Sequence, residues 1–394
     1  MDMKKGLICL LIVAILIFCV PNVATASTGN YPPMFYNNAR HTGDSIPILI
    51  ASSPTVADGI VFVGSKEDNN VYAFDANNGT KIWNYMTENA VYSSPTVANG
   101  IVYVGSEDNN VYALDAWTGI KVWNYTTGDI VVSSPAVANG IVYVGSYDHN
   151  VYALDATTGT KVWSYATGEA VWSSPAVANG IVYVEDGRNI YALDTHTGTK
   201  MWGYTTEGNV TSSPTVTNGI VYVGSAHGNI YALNASTGAK VWNYTTSISW
   251  SDNPPLFCMY SPAAVANGIV YVGSSDSNIY ALNASTGRKI WSYTWDGSAL
   301  SSPIVANGIV YVASGNTVHA LKANTGKSVW KEGCFEGPLS SPAIAYGIVY
   351  YQSYDGGVYA HNANTGKKVW SYMTGFVVRY PLAVTTGSDR VRKK

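Results

Sequence analysis

The chain has 394 residues, 47% of them hydrophobic and only 12% charged, against about 25% charged in an average soluble domain, and its formal net charge is −3. With no basic stripe apart from the closing "DRVRKK", this balance counts against a nucleic-acid partner. Four cysteines with no CxxC or CxxH among them leave neither a zinc site nor a redox pair written locally.

The chain opens with Lys4 and Lys5, an apolar run from Leu7 to Val20, then Pro21 and "ATAS". That order is expected of a secretory signal peptide, residues 1–26, cleaved after Ala26. The apolar run is shorter than the roughly 20 residues that cross a bilayer, so cleavage is expected rather than anchoring, and no later stretch is long enough to span. The mature chain is then placed outside the cytoplasmic membrane, secreted or at the cell surface, with 20 basic and 24 acidic residues. Two cysteines remain, Cys258 and Cys334, a candidate disulfide in an oxidising compartment. Six Asn-x-Ser/Thr sequons, at Asn78, Asn124, Asn209, Asn234, Asn243 and Asn283, would be glycan acceptors in a host that glycosylates exported proteins.

After a lead-in over residues 27–50, one unit recurs to about residue 387. Its tryptophan falls at Trp83, Trp123, Trp163, Trp202, Trp242, Trp291, Trp330 and Trp370, with spacings of 40, 40, 39, 40, 49, 39 and 40 residues. A fixed period of this size means stacked or radial repeats. Each copy holds four short segments rich in Val, Ile, Tyr and Trp, of the types "SPTVANG", "IVYVGS", "VYALDA" and "KVWNY". The second and third are apolar almost without alternation, as in Ile101-Val102-Tyr103-Val104, so both faces of those strands must be covered. Four-stranded sheets packed face to face around an axis meet that demand. The expected fold is all-β: an eight-bladed β-propeller of four-stranded antiparallel blades, with the repeat tryptophans docking blade to blade.

The fixed letters have physical reasons. Gly119 and its equivalents stand in a tight turn that calls for positive φ, which costs glycine least. Asp75, Asp115, Asp155 and Asp194, replaced later by Asn234, Asn283, Lys322 and Asn362, precede that turn, where an Asp or Asn side chain can bond the turn backbone. An aromatic repeated once per blade serves packing better than a ligand, since one ligand rarely needs eight identical contacts. A ninth Ser-Pro-like stretch, "RYPLAVTTG" around Pro381, either completes the first blade in place of the segment at Pro54 or trails beyond it. A basic tail, residues 388–394, ends the chain.

"ALDAxTGxxxW" resembles the signature of the PQQ-like β-propeller family, which includes quinoprotein dehydrogenases and the propeller lipoprotein of the outer-membrane β-barrel assembly machinery. The resemblance covers residues 51–387, and "YPPMFYNNARHTG" is similar to the lead-in found before such repeats. It implies the eight-bladed ring and two quite different uses. A PQQ- and calcium-dependent dehydrogenase would be expected to show adjacent cysteines, Glu, Asn and Asp calcium ligands and a catalytic Asp. Here no two cysteines adjoin, and the Asp of "ALDA" already has a turn role.

One end of the ring repeats "ANG" and "xTG" with little change; the variety falls on the other, among second-to-third turns and blade-to-blade connections such as "TTSISWSDNPPLFCMYS". Loops that diverge on a rigid scaffold are where function is usually placed. There the aromatics Trp172, Trp250, Trp295 and Phe335 gather with Asp252, Asp296 and Arg379, a candidate partner-binding face. Glu185, Asp186 and Arg188 break the local pattern and suggest a shortened turn closed by an internal ion pair rather than a cation site. The six histidines show no ligand spacing, and there is no phosphate loop or nucleophile elbow. The expected function is a non-catalytic, monomeric recognition scaffold without cofactor, its partner a cell-envelope protein or glycan. A PQQ/Ca-dependent dehydrogenase and a polysaccharide-binding module are the alternatives.

Overall fold

The computed structural model describes residues 52–246, 261–274, 276–295, 301–314, 317–333, 340–353 and 355–374. They form eight four-stranded antiparallel sheets, each made of four strands consecutive in sequence. In the first blade these are β1 Thr55–Ala57, β2 Ile60–Gly64, β3 Asn70–Asp75 and β4 Lys81–Met86. The first strands of successive blades lie against one another around the axis, and the fourth strands form the rim.

Burial follows this order. Strands β2 and β3 are buried along nearly their whole length, whereas β4 alternates, with Trp83 in and Lys81, Ile82 and Asn84 out. The apolar clusters sit between blades. Tyr103, Val111 and Trp123 of the second blade pack with Val142, Tyr152 and Leu154 of the third. Val61, Val63 and Phe74 of the first blade pack with Tyr350, Val358 and Trp370 of the eighth.

Two turns repeat around the ring. The first joins strands one and two through Asn-Gly pairs such as Asn99 (φ 51°) and Gly100 (φ 74°), the two-residue hairpin turn that needs positive φ at both positions. The second joins strands three and four. In the second blade the Asp115 side chain accepts from the backbone N–H groups of Trp117 and Thr118 at 3.1 and 2.8 Å, and a bulge between Ala113 and Leu114 absorbs the odd residue. Lys322 has no such acceptor, and its turn rests on backbone bonds from Thr325 and Gly326 to the Lys322 carbonyl.

The tryptophans join the blades. Trp83 Nε1 donates to the carbonyl oxygen of Ala116 in the next blade at 2.9 Å, and the other seven make the same bond at 2.7–3.0 Å. The same carbonyls accept a tyrosine hydroxyl from the second strand, as Ala156 does from Tyr103 at 3.0 Å and Thr195 from Tyr143 at 3.2 Å. The exception is the first blade, where Phe62 occupies the tyrosine position. The indole also lies on the bare face of the next blade's turn glycine. A Cβ at Gly119 would stand 2.7 Å from Trp83.

The eighth blade closes on the first through the same contacts. Trp370 Nε1 and the Tyr350 hydroxyl both donate to the Ala76 carbonyl, and Gly79 receives the Trp370 indole. Thr55–Ala57 is the innermost strand of the first blade, so the segment at Pro54 keeps its place. "RYPLAVTTG" lies outside the described residues, as do the leader, lead-in and basic tail. Among the described residues no helix is long and apolar enough to cross a membrane.

Candidate functional site

The divergent end of the ring is built on a polar framework. In the second blade Asp108 sits in the second-to-third turn and accepts from Asn110 N–H (3.0 Å), the Tyr112 hydroxyl (2.8 Å) and the backbone N–H of Glu88 (2.9 Å) in the incoming connection. Asp148 repeats this with Tyr152 and Gly128 N–H. The bonds tie each turn to the connection beside it, so loops of differing sequence are held on fixed stems.

Nearer the axis runs a ring of buried serines. The N–H of Ser53 donates to Ser94 Oγ at 2.9 Å, Ser94 to Ser134, Ser134 to Ser174 and Ser174 to Ser213. Ser302 donates to Ser341 at 2.8 Å, and Ser341 to Ser53 at 3.2 Å. The eighth position is Pro262, fixed by its place two residues before Ala264, the start of the sixth blade's first strand. Proline has no hydroxyl to accept from Ser213 and no N–H to give, and Ser302 Oγ is accordingly buried without a partner. The ring is broken where the longest insertion enters.

The fourth blade departs from the framework. Its turn is one residue shorter, and Asp186 takes the place of the usual turn aspartate, accepting from Gly168 N–H (2.7 Å), Glu169 N–H (3.0 Å) and the Tyr191 hydroxyl (3.0 Å). The expected closure by an internal ion pair is not what holds it. Among the described residues the single ion pair is Lys66–Glu67, at 3.4 Å. Backbone N–H groups and the Tyr191 hydroxyl hold the Asp186 carboxylate instead. Glu185 stands where Gly145 stands one blade earlier; it is 0% exposed, and neither carboxylate oxygen has a hydrogen-bond partner. Burial, with the Asp186 carboxylate beside it, pushes its carboxyl well above the usual carboxylate range, against a smaller opposing effect of the Ser173 hydroxyl. The equivalent Gln352 donates its side-chain amide to the Gly64 carbonyl of the next blade at 3.0 Å, a bond an ionised Glu185 cannot make.

Of the candidate face, Trp172 is half-buried. Trp295 lies inside rather than on the surface, 6% exposed, its ring 5.6 Å from that of His319 and 6.2 Å from that of Tyr293. Its spacing carries the reason: Trp295 follows Trp291 by four residues, as the buried Thr87 follows Trp83. Trp250, Asp252, Asp296, Phe335 and Arg379 lie outside the described residues, and so do Cys258 and Cys334. The opposite face is less uniform than its turns suggest, because Trp117 and Ile120 stand 55% and 67% exposed in one turn. The signal was present in "DAWTGIK", where other copies carry small or polar residues.

The family model described as outer membrane protein assembly factor BamB matches this chain over residues 38–133, 130–249, 249–317 and 303–390. Among solved structures, BamB from Moraxella catarrhalis is similar at a TM-score of 0.64 and 19% identity, covering 71% of this chain and 87% of that one. The computationally designed Ika8 protein is similar at a TM-score of 0.66 and 17% identity, covering 81% and 96%. A europium-containing methanol dehydrogenase is similar at 0.65 and 16% identity, covering 78% and 81%. No match was found among the curated proteins compared. At these identities the solved structures show the shared fold alone.

Proposed function

This chain belongs to the PQQ-like propeller family of the outer membrane protein assembly factor BamB, and on that premise we propose that it is a non-catalytic scaffold of the cell envelope that recognises a partner through its divergent loop face. The observation that carries the reading is the division of labour in the repeat. Its tryptophans, tyrosines, glycines and turn aspartates are engaged in docking blades and tying turns, which leaves the connections between blades to carry recognition. The leader pattern and a family description that names the outer membrane support a place outside the cytoplasmic membrane. The partner is an envelope protein or glycan, met by a monomer through Trp172 and the loop residues Trp250, Asp252, Asp296, Phe335 and Arg379.

A PQQ–calcium pair would need carboxylate and amide oxygens converging at the axis. Among the described residues no three His, Cys, Asp or Glu side chains are grouped to share an ion, and Asp108, Asp148 and Asp186 are saturated by turn donors. The donor set therefore supports a ring used without the cofactor. Titrating the purified protein with PQQ and Ca²⁺, while following tryptophan emission and dye reduction with alcohols and sugars, tests this. No saturable quenching and no turnover are expected; saturable binding with turnover would make the protein a dehydrogenase.

A further inference from the structure

The end of the ring opposite the divergent face is built from two turns in every blade, and its charge is not spread evenly around the axis. In each of the first four blades the turn between strands three and four holds one acid and one base, as with Asp115 and Lys121 in the second. In the last three blades the acid is gone. Asn283, Lys322 and Asn362 stand in its place, and the residue after the turn glycine, elsewhere Thr, Ile or Ala, becomes Arg288, Lys327 and Lys367. With Lys289 and Lys368, six basic side chains occupy three adjacent turns that contain no acid. All six are exposed, and none has an ion-pair partner among the described residues. The turns close with the same backbone bond, from Gly287, Gly326 and Gly366 N–H to the carbonyls of Asn283, Lys322 and Asn362 at 2.8 Å. They therefore project to the same extent and offer a level basic surface.

A second departure lies on the same end. The hairpin joining strands one and two carries Asn or Asp at positive φ in seven blades; in the eighth it carries Tyr346, at φ 51°. A left-handed backbone costs a bulky residue more than it costs asparagine, whose short side chain can bond locally. The ring is not sheltered in return, since Tyr346 is 66% exposed, while its hydroxyl accepts from the Gly59 N–H of the first blade at 3.2 Å. This hairpin is tied to the basic turn beside it by the bond from Ala363 N–H to the Gly347 carbonyl, at 2.8 Å. Strain without burial points to a use for the exposed ring.

We propose that this end of the sixth, seventh and eighth blades docks the ring on a bilayer of anionic phosphate headgroups, with the six cations against the phosphates and the Tyr346 ring at headgroup level. Lys and Arg near an anionic bilayer each add attraction without needing a formed pocket. An exposed tyrosine has the apolar body and polar tip that suit a membrane–water boundary. A level surface suits a flat partner better than a single polymer chain, which needs a groove to gain contact area. The formal net charge of the chain is −3, so adhesion to an anionic surface has to come from this local segregation of charge. The inference goes beyond the scaffold reading and does not rest on it; docked in this way, the ring turns its divergent face away from the membrane.

The test is co-sedimentation of the purified protein with vesicles of equal parts phosphatidylglycerol and phosphatidylcholine, against vesicles of phosphatidylcholine alone. Saturable binding to the anionic vesicles only is expected, falling as salt is raised. Lys322→Asn combined with Lys327→Thr restores residues the repeat itself uses and is compatible with the fold. Each lost charge should weaken binding about fivefold, and the pair about 25-fold. Arg188→Gln, which removes one exposed charge at the divergent end, should change binding by less than about twofold. Tyr346→Asn should weaken binding while raising the melting temperature, a combination that a purely structural tyrosine would not give. No binding to the anionic vesicles, equal binding to the neutral ones, or binding unchanged in the double lysine variant or in Tyr346→Asn would overturn the proposal. Retention on dextran sulfate without binding to vesicles would assign the patch to an anionic polymer and overturn it as well.

Discussion

The indole Nε1 of Trp370 donates to the carbonyl oxygen of Ala76, 2.9 Å away and 294 residues earlier in the chain. This bond, which also joins every other pair of neighbouring blades, turns eight similar units into a closed ring without an exchanged strand. Stability is thus a property of junctions, and junctions that differ should differ measurably.

At the first junction the Ala116 carbonyl receives Trp83 Nε1, but Phe62 stands where the other blades supply a tyrosine hydroxyl. Phe62→Tyr should add the missing bond and raise stability by about 0.5–1.5 kcal/mol, the usual net worth of one hydrogen bond. Tyr143→Phe, which removes the bond to the Thr195 carbonyl, should cost a similar amount. Urea midpoints at constant m report both.

Gly119→Ala combines two penalties. The position has φ of 71°, and the new Cβ would stand 2.7 Å from the Trp83 indole. A loss of about 1–3 kcal/mol is expected from overpacking and the left-handed backbone, read as a lower melting temperature. An unchanged melting temperature would mean that the indole has room to withdraw.

The spacing of Trp and Gly, the apolar run of Ile101–Val104 and the Asn-Gly turns are local signals, and through them eight blades of four strands were legible in the sequence alone. The contact of each glycine with the preceding blade's indole was not, because positive φ alone already accounts for a glycine at Gly119. Trp295 reads as a loop aromatic until its spacing from Trp291 is compared with that of Thr87 from Trp83. Glu185 reads as part of a shortened turn closed by an ion pair, since nothing in one strand reveals that the next blade covers it. Pro262 is hidden for a different reason: the 49-residue spacing at that junction obscures the register against the serines.

Pro262→Ser should mend the serine ring by giving Ser213 an acceptor and Ser302 Oγ a donor. Two bonds, less the added freedom of the unfolded chain, leave a gain of about 1 kcal/mol. Pro262→Ala, which restores only the N–H, should gain less. Hydrogen exchange at the Ser213 amide should slow in the serine variant; exchange unchanged from the parent would show that the broken ring is no weak point.

The carboxyl of Glu185 is raised in the folded state above its unfolded value. Its contribution to stability is therefore full in acid, below the ordinary carboxylate range, and is lost as pH climbs from that range through the raised folded value. The loss can be no steeper than about 1.4 kcal/mol per pH unit for a single group. Glu185→Gln, which copies the amide found at Gln352, should flatten this part of the profile and be the more stable form at neutral pH. A parallel profile for variant and parent would mean that Glu185 ionises without penalty.

Recognition through the divergent face is tested most directly by placing a photo-cross-linking residue at Trp172, on that face, and separately at Trp117, exposed on the other, and irradiating intact producing cells. A discrete envelope adduct from position 172 and none from position 117 is the predicted result. An adduct from position 117 alone would put recognition on the opposite end of the ring and contradict the proposed function.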